Sequence, residues 1–395
     1  MKKALLGTTA IVGTSLLMAG PAAAKPELTI GGALDFQVGW TSQDREGWSP
    51  TPGGTTGPAT ERGFSMFQKT FLYFKATDKT DSGMTWAFRV DLNADSDGGP
   101  GGSAGQSSSG RDNADKTTLT LSDAWGSMMV GADYGPAHTW FFGAKSAVKD
   151  AGTGGVDGNW ARWFNRTSVT TRFESSTSVR DSTTSSKIMY ATPRVAGFAG
   201  AVSYAPDRTT IGRFREPDAT SGLEQNFWEA AVNYVNKFGD FDVGLSATYD
   251  HADSRGSTPT GSAGVSGKDT SVWSLGATAG YGSWKVGGRY AQKAGVEGDL
   301  DTFTNTGYDQ WDLGVGYTTG PWSLGLSFLR QEAGHVNSTG TDSNDVWAFG
   351  TTYDMGGGLQ LYGDLFHADV SAAASSQANS ENTATGLITG VRVKF

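Results

Sequence analysis

ATGLITGVRVKF (Ala384–Phe395) ends the 395-residue chain, and its alternation decides the fold. Counting back by twos from Phe395 gives Val393, Val391, Thr389 and Leu387, while the opposite face carries Lys394, Arg392, Gly390 and Gly386. One face is apolar and the other is wet or small, the period of a β-strand. A lone amphipathic strand at a terminus frays and exposes an edge, so this one requires another strand to close against it. The partner it predicts is Leu28–Trp40, LTIGGALDFQVGW, at the other end of the chain. There Leu28, Ile30, Leu34, Phe36, Val38 and Trp40 alternate with Thr29, Ala33, Asp35 and Gln37.

Residues 1–24 read as an export signal: Lys2 and Lys3, a short apolar segment from Ala4 to Ala19, and the cleavage pattern Ala22-Ala23-Ala24. No later run approaches the ~18 apolar residues of a spanning helix, and the mean hydropathy is −0.35. The 57 glycines are about twice the usual share of ~7 %. With 13 Trp, 12 Tyr and 20 Phe and almost no helix-forming runs, they point to an all-β chain. Cysteine is absent, so an exported chain of this length is expected to hold itself by one large closed sheet rather than by disulfides. The formal charge is −9; without Lys2 and Lys3, 29 basic residues face 40 acidic ones and the balance is −11. That disfavours nucleic acid as a partner, and none is expected.

Between the two terminal strands the chain alternates strand pairs with turns of two kinds. Phe64–Thr77 and Met84–Asn93 flank a compact turn, and Thr117–Asp123 and Met128–Ala132 another. Thr183–Thr192 leads to Phe198–Ala205. Four hairpins follow: Trp228–Tyr234 with Phe241–Asp250, Trp273–Ala279 with Trp284–Lys293, Trp311–Thr318 with Trp322–Arg330, and Trp347–Tyr353 with Leu359–His367. Long polar stretches separate them. Short turns at one rim and long loops at the other are the layout of an up-and-down antiparallel barrel, and the tally is about sixteen strands, within the range of outer-membrane barrels. Trp40, Trp273, Tyr281, Trp284, Trp311, Tyr317, Trp322 and Tyr353 fall at strand ends, where aromatic girdles would meet the lipid interfaces. The apolar face of such a barrel turns to lipid, the reverse of a secreted sandwich.

Residues 133–165 break the period. They hold Trp140, Phe141, Phe142, Trp160, Trp163 and Phe164 among Lys145, Lys149, Asp150, Asp157 and Arg162, and irregular segments of this length are uncommon unless functional.

In the order and spacing of GGALDFQVGW at the mature start, WGSMMVG (Trp125–Gly131), Lys187–Pro193 followed by GFAGAVSYAP, and the closing VRVKF, the chain resembles the general trimeric porins of Gram-negative bacteria, most of all their α-proteobacterial branch. The resemblance covers nearly the whole mature chain. It implies a sixteen-stranded transmembrane barrel over residues 25–395 in the outer membrane, a homotrimer among membrane lipids and lipopolysaccharide, and a terminal Phe395 read by the barrel-assembly machinery. It also implies that the third long loop folds inward as a constriction, the place of residues 133–165 here; Ala144–Lys149 suits one helical turn within it. The family's Pro-Glu-Phe-Gly loop tip is missing.

By the same resemblance, acidic loop groups would face basic groups on the wall: Asp150 and Asp157 against Arg89, Arg162, Arg166, Arg172, Arg180 and Lys75, with Lys145 and Lys149 complicating the loop's charge. Strand parity puts Arg89 on the polar face beside Asp91. The implied function is a water-filled channel for passive diffusion of small hydrophilic solutes and ions. A substrate-selective channel for a sugar or an anion is the nearest alternative, with an adhesin barrel behind it. Net charge suggests a weak cation preference, although local rings of charge matter more. His138, His251, His335 and His367 fall in separate segments without a triad pattern, so no catalysis is expected. No cofactor or dedicated metal site is expected either; the loop acids suit at most loosely held divalent cations such as calcium.

Overall fold

A computed structural model describes residues 26–44, 63–94, 114–164, 181–207, 224–254, 269–294, 305–335, 341–371 and 381–395. The leader therefore lies outside the described residues. Sixteen strands form one closed antiparallel barrel in sequence order. They are β1 (Glu27–Asp44), β2 (Phe64–Lys79), β3 (Thr85–Asn93), β4 (Ala114–Asp123), β5 (Gly126–Ala132), β6 (Ser186–Ala191), β7 (Phe198–Asp207), β8 (Glu224–Phe238), β9 (Phe241–Ser254), β10 (Thr270–Tyr281), β11 (Trp284–Ala294), β12 (Asn305–Thr319), β13 (Trp322–His335), β14 (Thr341–Gly356), β15 (Leu359–Ser371) and β16 (Asn382–Lys394).

The two termini close the ring. β16 pairs with β1 from Ala33 opposite Lys394 to Asp44 opposite Thr383, and Phe395 exchanges backbone hydrogen bonds with Gly32 at 3.1 Å in both directions. Closure leaves no edge strand, which is what hydrocarbon demands of a sheet. The alternation is inside-out relative to a soluble protein. On β9, Leu245 is 49 % exposed while its neighbour Ser246 is 7 % exposed, and Leu275, Leu313, Leu326, Leu365 and Leu387 likewise point outward.

At one rim the turns are tight. Gly239, Gly282, Gly320 and Gly357 each occupy the first position of a two-residue turn with φ of 60°, 57°, 54° and 64°, a conformation that glycine adopts without the Cβ clash.

The eight girdle candidates all lie on the outward face. Tyr281, Trp284, Tyr317, Trp322 and Tyr353 stand near the tight turns, where Trp284 packs on Tyr317 with ring centroids 4.6 Å apart and Trp322 on Tyr353 at 4.8 Å. Trp40, Trp273 and Trp311 stand toward the long-loop rim, where Trp40 packs on Phe64 and Tyr290 bridges Trp273 and Trp311.

Two boundaries differ from the sequence reading. Strands at the long-loop rim run further than hydrophobic alternation suggests, β13 to His335 and β14 from Thr341. Polar residues there continue the ladder: Asn344 donates to Gln331 at 2.8 Å and Gln331 to Gln310 at 2.7 Å across three strands. β6 is shorter than Thr183–Thr192, because Thr183 takes a φ of 50° and residues 181–185 form a turn.

Candidate functional site

After β5 the chain enters the barrel. Residues 133–164 form α1 (Pro136–Thr139), α2 (Ala144–Val148) and two short 3-10 turns at Gly155–Asp157 and Asn159–Arg162. Pro136 opens α1 where its missing N–H has no consequence, and α2 is the helical turn anticipated at Ala144–Lys149.

Each turn of this segment leaves backbone N–H groups without helical partners, and side-chain oxygens from successive strands supply them. Glu229 on β8 accepts from the Ala137 amide at 3.1 Å, Ser246 on β9 from Phe142 at 2.8 Å, and Asp312 on β12 from Ala144 at 2.6 Å. Ser327 on β13 accepts from Val156 at 3.0 Å, Thr352 on β14 from Gly152 at 2.8 Å, and Asp364 on β15 from Thr153 at 2.8 Å. The loop is therefore fixed against the inner wall from β8 round to β15.

Glycine on the wall permits that approach. A Cβ at Gly276 or Gly287 would run into the carbonyl of Phe142 or Gly143, and one at Gly314 or Gly350 would stand 2.8 Å from the carbonyl of Ala144 or Ala151. Side chains there would lift the loop off. Apolar residues complete the contact: Phe141, Val148, Val156, Trp160, Trp163 and Phe164 are all buried, and Trp160 packs on Phe366 of β15. The Trp160 indole N–H donates to the Val156 carbonyl at 2.9 Å, which removes its polar edge from the contact.

The root of the loop is tied as firmly. The Lys187 ammonium on β6 donates to the carbonyls of Asp133, Thr183 and Ser185, so it grips the segment where it leaves the wall and where it returns. His138 and Asp181 meet at 2.6 Å, and the Tyr134 ring stacks on His138 at 3.8 Å. Burial, assisted by nearby Asp115 and Asp181, pushes the Tyr134 phenol up from its ordinary pKa, so it stays a neutral packing group.

The charged candidates take up the following places. Asp157 is largely buried and pairs with Lys145 of the same loop at 2.8 Å, and Asp150 pairs with its exposed neighbour Lys149 at 2.9 Å. The loop acids thus pair with loop lysines, and Asp157 also lies within electrostatic range of Arg289 on the wall. Arg89 and Asp91, two residues apart on one face of β3, form a bidentate pair at 2.6 and 2.8 Å. Lys75 of β2 lies directly opposite Arg89 in the ladder and is exposed. Arg162 stands over the Phe67 ring at 4.4 Å. Arg166, Arg172 and Arg180 lie outside the described residues.

Parity alone also missed groups that matter. Arg392 of β16 binds Asp35 of β1 at 2.9 Å and reaches the Gly152 carbonyl of the loop at 3.5 Å, while Tyr362 donates to the same Asp35. The fully buried Arg289 of β11 lies 3.5 Å from Asp312 and 4.0 Å from the Phe141 ring centroid. Arg392 stands in the quoted terminal stretch, on its wet face, and that was the available signal. Among the described residues, His251, Asp253 and Asp269 bring potential ligand atoms within 4.8 Å of one another at the long-loop end of β9 and β10, on the outward face and away from the passage.

Another stretch of the described wall runs from β2 to β4, where the loop meets Phe67 and Lys116. Asp35 of β1 faces the lumen and stands opposite Lys69 in the ladder, so the same parity directs Phe67, Phe71, Tyr73 and Lys75 inward. Across the ladder Arg89 and Asp91 of β3 follow, then Lys116 of β4, which pairs with Asp133 at 2.8 Å. A latched loop faces a basic, aromatic wall.

Comparison with known proteins bears on this geometry. The profile of a family described as Gram-negative porin matches residues 7–373. Among solved structures, an anion-selective porin from Comamonas acidovorans superposes with a TM-score of 0.59 at 18 % identity, covering 94 % of this chain and all of that one. OmpT of Vibrio cholerae in its trimer form gives 0.58 at 12 % identity, covering 94 % and 100 %. The outer membrane channel DcaP of Acinetobacter baumannii gives 0.56 at 10 %, covering 96 % and 100 %. No curated protein sequence matches.

Proposed function

The chain belongs to the Gram-negative porin family, outer-membrane channels for passive diffusion of small hydrophilic solutes, and we propose that its passage favours small anions over cations. The observation that carries this is the charge of the wall from β2 to β4. Lys69 and Lys75 face the lumen without a carboxylate partner among the described residues, beside Arg89 and Lys116, each of which has one. Three acids of the covered wall, Glu229, Asp312 and Asp364, are buried and hold loop amides. Fixed charge that lines the narrowest path outweighs the overall balance of −9, so the sign expected from net charge gives way to the local one. The Comamonas porin of the same fold carries the anion-selective description.

On this reading the protein runs no chemical step, and its solutes cross down their own gradients. It forms a homotrimer, the form recorded for the Vibrio cholerae protein, among membrane lipids and lipopolysaccharide. Phe395, 68 % exposed at the end of β16, is available to the barrel-assembly machinery. The reversal potential of single channels in a KCl gradient tests selectivity: a sign set by chloride is expected, and one set by potassium overturns the proposal.

A further inference from the structure

Aromatic side chains in a water-filled passage need an account, since lipid already receives the outward ones. Inward along β2 the residues read Phe67, Lys69, Phe71, Tyr73, Lys75, so rings and cations share one face of a single strand. Phe67 is accounted for: Arg162 stands over it and it packs against the buried cluster that anchors the loop. Phe71 and Tyr73 belong to no such cluster and remain half-buried. The Tyr73 ring lies against the backbone of Gly31, where a Cβ would overlap it, so it is held along the wall rather than projecting into the water. The Arg89 guanidinium stands 5.4 Å from its centroid, and a guanidinium plane stacks on rings as an aromatic does.

We propose that this face is a transit site for small aromatic carboxylates, the ring resting on Phe71, Tyr73 and the Arg89 plane while the carboxylate is held by Lys69 or Lys75. Same-face neighbours on a strand lie ~6.5–7 Å apart. That is about the span from a stacked ring to a cation bonded to its carboxylate. Neither component suffices alone: the lysines recognise any small anion, and the rings attract any apolar body that the passage otherwise disfavours. Together they select molecules that carry both. The site deepens the anion reading and rests on it.

The test uses purified full-length channels in planar bilayers, with potassium salts of benzoate, cyclohexanecarboxylate and acetate as probes. Benzoate is expected to show a permeability ratio to chloride severalfold above that of cyclohexanecarboxylate, or to interrupt the current at severalfold lower concentration. Tyr73→Leu and Phe71→Leu, each conservative enough to keep the barrel, should bring benzoate down to the level of cyclohexanecarboxylate. The outward-facing Phe74→Leu on the same strand should leave the difference in place. Lys75→Gln should lower all three organic anions together. If chloride outruns potassium but benzoate and cyclohexanecarboxylate behave alike, the aromatic site is wrong and the anion channel stands. If potassium outruns chloride, both fall. A benzoate preference that survives both leucine variants also overturns the site.

Discussion

Two stretches of the inner wall share one sheet geometry and differ in what they offer. From β8 to β15 the inward residues that meet the loop backbone are small or hydrogen-bonding: Ser246, Gly276, Gly287, Asp312, Gly314, Ser327, Gly350, Thr352 and Asp364, with Arg289 and Phe366 buried against the loop's rings. From β2 to β4 they are long, basic or aromatic: Lys69, Phe71, Tyr73, Lys75, Arg89 and Lys116. The first stretch receives the loop backbone, and on the proposed reading the second receives solute. Where a barrel of this size narrows is thus decided by side-chain volume as much as by the loop.

Substitutions that erase this contrast should act in proportion to what they uncover. The largest effect is expected for Asp312→Ala, which takes the acceptor from the Ala144 amide and removes a carboxylate from beside the fully buried Arg289. Breaking such a pair costs ~3–5 kcal/mol. Thermal unfolding in detergent should fall by several degrees or more, and surviving channels should conduct more with noisier open levels. Gly314→Val comes next: its side chain meets the loop carbonyl at Ala144, and an overpacked contact of this kind costs ~1–3 kcal/mol. Its readout is altered single-channel conductance with the barrel intact by circular dichroism.

Lys69→Gln with Lys75→Gln should leave stability nearly unchanged while the chloride-to-potassium permeability ratio drops severalfold, most clearly at low ionic strength where screening is weak. The smallest effect is expected for Trp284→Ala, which removes the outward ring pair with Tyr317. A pair of this kind contributes ~0.5–1.5 kcal/mol beyond its buried area, so unfolding should shift slightly and conductance not at all.

The barrel was legible in the sequence because every strand must repeat one rule: residues such as Leu245, Leu313 and Leu387 alternate with small or polar ones whatever lies inside. Short turns between these strands were legible for the same local reason, and the structure tightens those at Gly239 and Gly320 to two residues. The loop's course was not. Ser246, Thr352 and Asp364 read as ordinary inward polar residues, and only contact across more than a hundred positions of sequence makes them acceptors for loop amides. The wall glycines registered as composition, since a missing side chain announces space without saying what fills it. Arg89 with Asp91 followed from period two on one strand, whereas the pairing of Asp157 with Lys145 depended on how the loop folds upon itself.

The absence of native cysteine makes the contrast between the two stretches directly measurable. Single cysteines at Lys75, on the wall from β2 to β4, and at Ser327, beneath the loop, can be exposed to a negatively charged thiol reagent while single-channel current is recorded. Prompt modification and a reduced current at position 75, with position 327 untouched over the same interval, is the predicted result. Equal reactivity at the two positions would mean that the loop does not cover the wall from β8 to β15, and the account of the constriction would be contradicted.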